Sequence, residues 1–293
     1  MEQRAFGNTG LTVSVLGLGA GQVGDATLSD DQAARLLHAV LDAGVSLIDT
    51  ARGYGLSEER IGRHLKARRH EFVLSTKVGY DIPGYENWTG PTVTAGIDAA
   101  LRLLQTDFLD IVHLHSCTLA DLERGEVIEA LEAAVAAGKI RVAAYSGENE
   151  ALDWAIRSRR FGSLQTSVNI CDQRGILRAL PSAVERGMGI IAKRPVANAP
   201  WRYTERPVDN YAEEYWLRLQ AMQIDPAPYE WQELALRFAA YTPGVSSCIV
   251  GTANLEHFQR NIELLARGPL PAEIVANVHA AFQQHDDNWI GQV

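Results

Sequence analysis

The sequence predicts an α/β chain folded as a single-domain (β/α)8 TIM barrel. Short apolar, β-like runs alternate with longer helical runs from end to end, eight of each. The gaps between successive strands hold the dozen or more residues that a parallel crossover needs. No composition break, low-complexity segment or Ser/Gly-rich linker divides the 293 residues, a length that suits one barrel. A core of that size buries about three quarters of the unfolded surface, so no covalent staple is needed.

The expected strands are 12–17, 45–49, 72–77, 108–115, 140–146, 164–168, 189–193 and 247–250. The expected helices are 31–43, 58–66, 93–104, 127–137, 149–157, 180–186, 230–241 and 255–266. Amphipathic spacing and end signals define each helix. Ser29 or Asp30 caps the first helix, and Ser57 caps the second, with Glu58 and Glu59 suiting its dipole. Gly44, Gly138 and Gly187 stand where C-caps belong. The long connection 199–229 carries Trp201, Tyr203, Tyr211, Tyr215 and Trp216, with a short accessory helix expected within 211–219. With Tyr85, Trp88 and Trp289 these aromatics either wall a substrate pocket or pack accessory loops.

Composition excludes several classes. Lys plus Arg is 27 and Asp plus Glu is 36, a formal charge of -9, which disfavours phosphate-backbone binding and so nucleic-acid partners. Cys117, Cys171 and Cys248 are scattered and odd in number, as expected of a reducing, cytoplasmic setting. The amino terminus lacks the apolar core of a signal peptide, and no run approaches the ~20 apolar residues of a membrane span. A monomer or weak homo-oligomer acting on a small molecule is expected.

Gly19-Ala-Gly21-Gln-Val-Gly24 follows a strand, and Asp49 ends the next. That is the glycine pattern of a Rossmann dinucleotide site, and a two-domain dehydrogenase is the alternative it raises. The pattern requires a helix to open at the glycines, however, and here Asp25-Ala-Thr-Leu intervenes. Turn glycines at a barrel mouth fit better.

The segment from Ile48 to Gly62 reads I-D-T-A-R-G-Y-G-L-S-E-E-R-I-G. Asp49 ends a buried strand and Tyr54 stands in the loop above it, where α/β proteins place chemistry. Lys77 closes the next apolar strand in T-K-V-G, and its ammonium must reach water or meet an anion, for which Asp49 is the candidate. Strand alternation puts His113 and His115 on one face, His115 at the mouth and His113 a layer deeper. No third ligand is placed for a metal, and none is expected.

Together D-T-A-x-x-Y-G-x-S-E, T-K-V-G and the D-x-x-x-x-H of Asp110–His115 resemble the aldo-keto reductases. The resemblance runs from Gly7-Asn-Thr-Gly-Leu-Thr-Val-Ser14 to Asn261-Ile262. It is closer to bacterial aldose and galactose dehydrogenase-like and channel β-subunit-like branches than to the mammalian reductases. It implies a (β/α)8 barrel that uses NADP(H), with NAD(H) not excluded, to reduce aldehydes or ketones to alcohols, or the reverse. The implied catalytic set is Asp49, Tyr54, Lys77 and His115. Tyr54 is the general acid or base. An adjacent Lys77 favours its phenolate, Asp49 holds Lys77, and a neutral His115 donates to the carbonyl oxygen. Tyr54, His115 and Trp88 are expected at the substrate.

For the cofactor the resemblance implies Gly19, Asp49, Ser146, Gln165, Lys193, Arg194, Asn198, Gly251, Thr252, Asn254, His257 and Asn261. Four positions depart from the common pattern. Gly147 replaces an asparagine that would hold the nicotinamide carboxamide, leaving Asn149 as a substitute; Lys193 replaces a stacking aromatic; Gly251 and His257 replace basic residues common in NADP-preferring members. Two further readings stay open: a nicotinamide-binding sensor or accessory subunit without turnover, and a phosphate-substrate isomerase barrel.

Overall fold

The computed structural model describes residues 1–293. A hairpin of β1 (Gln3–Ala5) and β2 (Thr12–Ser14) precedes the barrel proper. Then come β3 (Leu16–Gly19), α1 (Asp30–Asp42), β4 (Leu47–Asp49), α2 (Ser57–Leu65), β5 (Val73–Val78), α3 (Gly90–Leu103) and β6 (Leu109–His115). The second half holds α4 (Leu119–Arg124), α5 (Glu126–Ala136), β7 (Ile140–Ser146), α6 (Asn149–Ser158), β8 (Ser163–Ser167), α7 (Arg174–Glu185) and β9 (Gly189–Lys193). It ends with α8 (Glu213–Met222), α9 (Trp231–Ala240), β10 (Ser247–Gly251), α10 (Leu255–Leu265) and α11 (Ala272–His285). Eight parallel strands close in the order β10-β3-β4-β5-β6-β7-β8-β9. Closure rules out the open sheet of the Rossmann alternative.

Alternation sorts the side chains. On β4, Ile48 packs outward under the helices while Leu47 and Asp49 face the barrel interior. The interior changes character from base to mouth. Leu47, Val73, Ile111, Val142, Ala144 and Ile191 form its apolar floor, which Phe6 and Val13 of the hairpin region plug from below. Above the floor come Asp49 beside Ser75, Lys77 beside His113, His115 beside Ser146, and Ser146 beside Gln165. These polar groups are removed from water, so each needs a partner.

Several elements differ from the expected ones. Segment 12–17 is two strands, because β2 pairs antiparallel with β1 while β3 pairs parallel with β4 and β10. Ser57 is the first residue of α2 rather than its cap; buried, its hydroxyl donates to Ala20 O at 2.8 Å and accepts from Thr50 Oγ1 at 2.8 Å. Helix 180–186 starts earlier, at Arg174, and runs through Pro181, a residue whose missing N–H and bulky ring usually signal a break. Helix 127–137 is preceded by α4, the two separated by Gly125 at φ 83°. The accessory helix is α8, and α11 has no counterpart among the expected helices.

Candidate active site

Asp49 and Lys77 come from neighbouring strands and meet inside the barrel, each 1% exposed. Lys77 Nζ donates to Asp49 Oδ2 at 2.5 Å and to Thr50 O at 2.8 Å. The other oxygen of Asp49 accepts from Ser75 Oγ at 2.7 Å and Gln165 Nε2 at 2.9 Å. A buried ion pair is tolerable only with this degree of hydrogen bonding. Burial opposes the charge on Lys77, but the attraction of Asp49, then of Tyr54, outweighs it and holds the ammonium above the usual lysine range.

Tyr54 is placed above this pair by its loop. Lys77 Nζ lies 4.9 Å from the centre of the Tyr54 ring. The loop closes down because Gly24 has no side chain: a Cβ there would strike the Tyr54 carbonyl oxygen, and Leu56 N donates to Gly24 O at 3.0 Å. A Cβ on Gly21 would sit 4.0 Å from Tyr54 Cδ2. The last glycine of the first βα loop therefore serves Tyr54, and α1 opens later at a capping box between Ser29 and Gln32.

His115 meets the Tyr54 ring edge-on, with centroids 6.0 Å apart and planes at 85°. Its Nδ1 lies 2.8 Å from the hydroxyl of Tyr80. Burial first, then the cations of Lys77 and Lys193, push its pKa down to about 2, so the imidazole is neutral at ordinary pH. His113 lies deeper and is fully buried; its Nδ1 is 3.3 Å from Ser75 Oγ, and burial pushes its pKa down to about 3.

A cavity of about 780 Å³ opens above these groups. Asp49, Tyr54, Tyr80, His115, Ser146 and Gln165 line its chemical end, and Gly19, Gly21, Lys193, Arg194, Asn198, Arg202 and Gly251 line the rest. Lys77 sits behind Tyr54 and Asp49, outside the lining. Trp88 is also outside it, packed on Tyr80 with centroids 5.6 Å apart. Thr252 and Asn254, on the way into α10, and His257 and Asn261, within it, lie outside the cavity lining. Asn254 Oδ1 caps that helix, accepting from Glu256 N at 2.8 Å, and Thr252 Oγ1 accepts from Asn254 N at 3.0 Å. Asn261 is buried and accepts from Gln232 Nε2 at 2.6 Å, while His257 is exposed. Of the accessory aromatics, Tyr211 reaches the cavity; Trp201 stacks on Trp231 and Tyr215 donates to Asp172 at 3.2 Å.

The departures of the sequence have physical causes here. A Cβ on Gly147 would collide with the hydroxyl of Tyr145, which donates to Cys117 O at 2.9 Å. The amide of Asn149 is engaged by the C-terminal segment, donating to Gly291 O at 3.0 Å and accepting from Gly291 N at 2.9 Å, so it does not stand in for the missing asparagine. Lys193 pairs with Glu148, Nζ to Oε1, at 3.2 Å. Burial draws the Lys193 pKa below the usual lysine range, an effect the Glu148 charge opposes. Glu148 is itself fixed by Thr166 Oγ1 at 2.6 Å and Ser167 N at 2.8 Å. Glu148 and Tyr80 were not singled out in the sequence as site residues; the signals were their positions, one just past the end of β7 and one three residues beyond Lys77.

Arg194 is held by Ser167 Oγ at 3.2 Å, by Tyr211 Oη and by Gln292 O. The loop that carries it is left-handed at Arg194, Ala197, Asn198 and Ala199, with φ of 53°, 48°, 59° and 53°. Such conformations cost on the order of 1–3 kcal/mol each in side-chain-bearing residues and cluster at ligand clamps.

The lining fits a nicotinamide dinucleotide. Gly19, Gly21 and Gly251 let a flat or anionic group approach backbone closely, Ser146 and Gln165 present a hydroxyl and an amide at the chemical end, and Arg194, Arg202 and Asn198 offer donors along the remainder. No group of three or more His, Cys, Asp or Glu side chains is arranged to hold a metal ion.

Known proteins place these features in context. The model of the Aldo/keto reductase family matches residues 15–282. L-galactose dehydrogenase of Arabidopsis thaliana is 26% identical over 279 residues, covering 89% of this chain and 87% of that protein. L-glyceraldehyde 3-phosphate reductase of Escherichia coli is 30% identical, covering 90% and 88%. Among solved structures, the holo form of aldo-keto reductase AKR11C1 from Bacillus halodurans superposes with a TM-score of 0.84 at 27% identity, covering 96% of each chain.

Proposed function

Because this chain belongs to the aldo/keto reductase family, and is an NAD(P)H-dependent oxidoreductase acting on carbonyl compounds and alcohols, we propose that it works through Tyr54 as proton donor. A bound nicotinamide supplies the hydride. As negative charge builds on the carbonyl oxygen, the Tyr54 hydroxyl delivers the proton; in the oxidative direction the same oxygen takes it back. The observation that carries this reading is the stack of one phenol, one ammonium and one carboxylate. Lys77 lies 4.9 Å from the Tyr54 ring centre and 2.5 Å from Asp49. The ammonium favours the phenolate left after proton transfer, and Asp49 keeps that ammonium charged and in place. Neutral His115 hydrogen-bonds the carbonyl oxygen and orients it.

We assign the cofactor role to the cavity lined by Gly19, Ser146, Gln165, Lys193, Arg194, Asn198 and Gly251, with the α10 entrance holding the adenosine end. NADP(H) is the proposed cofactor. Arg260, held only at 3.5 Å by Glu230 and by Glu263, is the cation available to a 2′-phosphate near His257. The substrate is an aldehyde or ketone. The relatives act on sugars and a triose phosphate by name, and the polar chemical end of the cavity supports a small polar carbonyl. No helix is long and apolar enough to cross a membrane. The three cysteines are free and buried, which supports a reducing compartment; a cytoplasmic monomer or weak homo-oligomer is the setting we propose.

The test is a panel of aldehydes, ketones and sugars assayed with NADPH and NADH, run on wild type and Tyr54→Phe. The variant should bind cofactor nearly as well, read by tryptophan quenching, and lose turnover by about 10²–10⁴-fold. Cofactor quenching with no turnover of any carbonyl in the wild type would favour the sensor reading. Normal turnover by Tyr54→Phe would remove the assignment.

A further inference from the structure

We infer that Tyr80 is a positioning residue that sets the tautomer of His115, its hydroxyl donating to Nδ1 so that the imidazole proton sits on Nε2, toward the cavity. A neutral imidazole has one donor nitrogen and one acceptor nitrogen, and the partner of one fixes the role of the other. Here Nδ1 is the partner of the Tyr80 hydroxyl, at 2.8 Å. The two rings lie 5.4 Å apart at 35°, and both line the cavity beside Tyr54. With the phenol as donor, Nε2 carries the proton and has a hydrogen bond to give to a carbonyl oxygen. With the roles reversed, a bare Nε2 lone pair would face that oxygen, and the phenol proton would need a second acceptor.

The surroundings of Tyr80 are built to hold it there. Gly53 makes room: a Cβ at that position would come within 2.7 Å of the Tyr80 hydroxyl oxygen. Trp88 buttresses the far side of the ring at 5.6 Å. It is fixed in turn, because Trp88 N donates to Gly79 O at 2.7 Å, Arg124 Nη2 donates to Trp88 O at 3.1 Å, and Gly79 has no side chain to obstruct the indole. Trp88 thus reaches the chemistry through Tyr80 rather than as a cavity wall. The relevance to turnover rests on the reading of Tyr54 and His115 given above; the tautomer itself does not.

The experiment is nitrogen NMR on the full chain labelled at histidine, with the His115 signals assigned by their loss in His115→Gln. Wild type should show a protonated Nε2 and a bare Nδ1. Tyr80→Phe should show a mixture of tautomers and a kcat about 10-fold lower, with cofactor affinity unchanged. Gly53→Ala, which displaces the hydroxyl without deleting it, should reproduce both changes and covers the case in which Tyr80→Phe folds poorly. A wild-type Nδ1–H signature overturns the inference. So does a Tyr80→Phe protein that keeps the wild-type tautomer, whatever its rate. If Tyr54→Phe turns over normally, the functional reading falls, while the tautomer measurement still decides this one.

Discussion

The two halves of the barrel mouth are built on different plans. Over β4, β5 and β6 the polar side chains satisfy one another with one partner from β8: Asp49 takes Lys77 and Ser75, with Gln165 reaching it across the barrel, and His115 takes Tyr80. Over β7, β9 and the approach to α10, charges are tied to partners that a ligand would have to replace or share. Lys193 is paired with Glu148, Arg194 with Tyr211 and Gln292, and Arg260 loosely with Glu230 and Glu263. The first half is preorganised for a reaction, so its geometry costs little to keep during one. The second half is a set of exchangeable contacts whose affinity depends on what they give up.

Removing a charge from each half should expose that difference. The largest effect is expected from Lys77→Met. It leaves Asp49 charged, buried and unpaired, so the fold should lose about 3–5 kcal/mol, measured by urea unfolding, and turnover should fall at least as far as in Tyr54→Phe. If stability hardly changes, the first half of the mouth is not preorganised around this ion pair. Next comes Glu148→Gln, whose amide oxygen still accepts from Ser167 N and whose NH2 group can donate to the Thr166 hydroxyl, while the charge that holds the Lys193 ammonium is removed. An oxidised nicotinamide ring is itself cationic. The oxidised cofactor should therefore weaken by about 10-fold relative to the reduced one, roughly 1.4 kcal/mol, with kcat little altered. Equal changes in both dissociation constants would show that Lys193 lies away from the ring.

A smaller effect separates the layers of the first half. Burial holds His113 and His115 far below the ordinary histidine pKa, near 3 and 2. The unfolded chain thus binds more protons than the folded one as pH falls below about 6.5. Stability should be steady above that value and decline steadily below it. His113→Gln should make the decline shallower without changing the pH dependence of reduction between pH 6 and 8. A slope unaltered by the substitution would assign the acid sensitivity to the carboxylates instead.

This asymmetry also governs what could be read from the sequence. Asp49, Tyr54, Lys77 and His115 lie at strand ends or in the loop next to one, so a short motif and an alternation rule locate them together. The barrel itself is equally legible, because its alternating strands and helices carry periodic patterns, although α4 and α11 lie outside that eightfold alternation. Tyr80 was not, since a tyrosine in a loop says nothing of what its hydroxyl meets. Glu148 was hidden for the same reason: its meaning comes from Lys193, forty-odd residues and two strands away. Gly147 looked like a lost amide and is a space left for the Tyr145 hydroxyl. The split of segment 12–17 carries no mark in the sequence, because Val15 alone separates the hairpin strand from the barrel strand and no turn residue stands between them.

The hairpin that splits them has a consequence of its own. With Phe6 and Val13 wedged beneath Leu47 and Ile111, the chamber is a well and not a tunnel. Every guest enters and departs by the same rim, so a molecule seated low can be held in place by one bound above it. Solvent displaced by the guests has only that route upward, and no water reaches the ionic pair from beneath while the stopper holds.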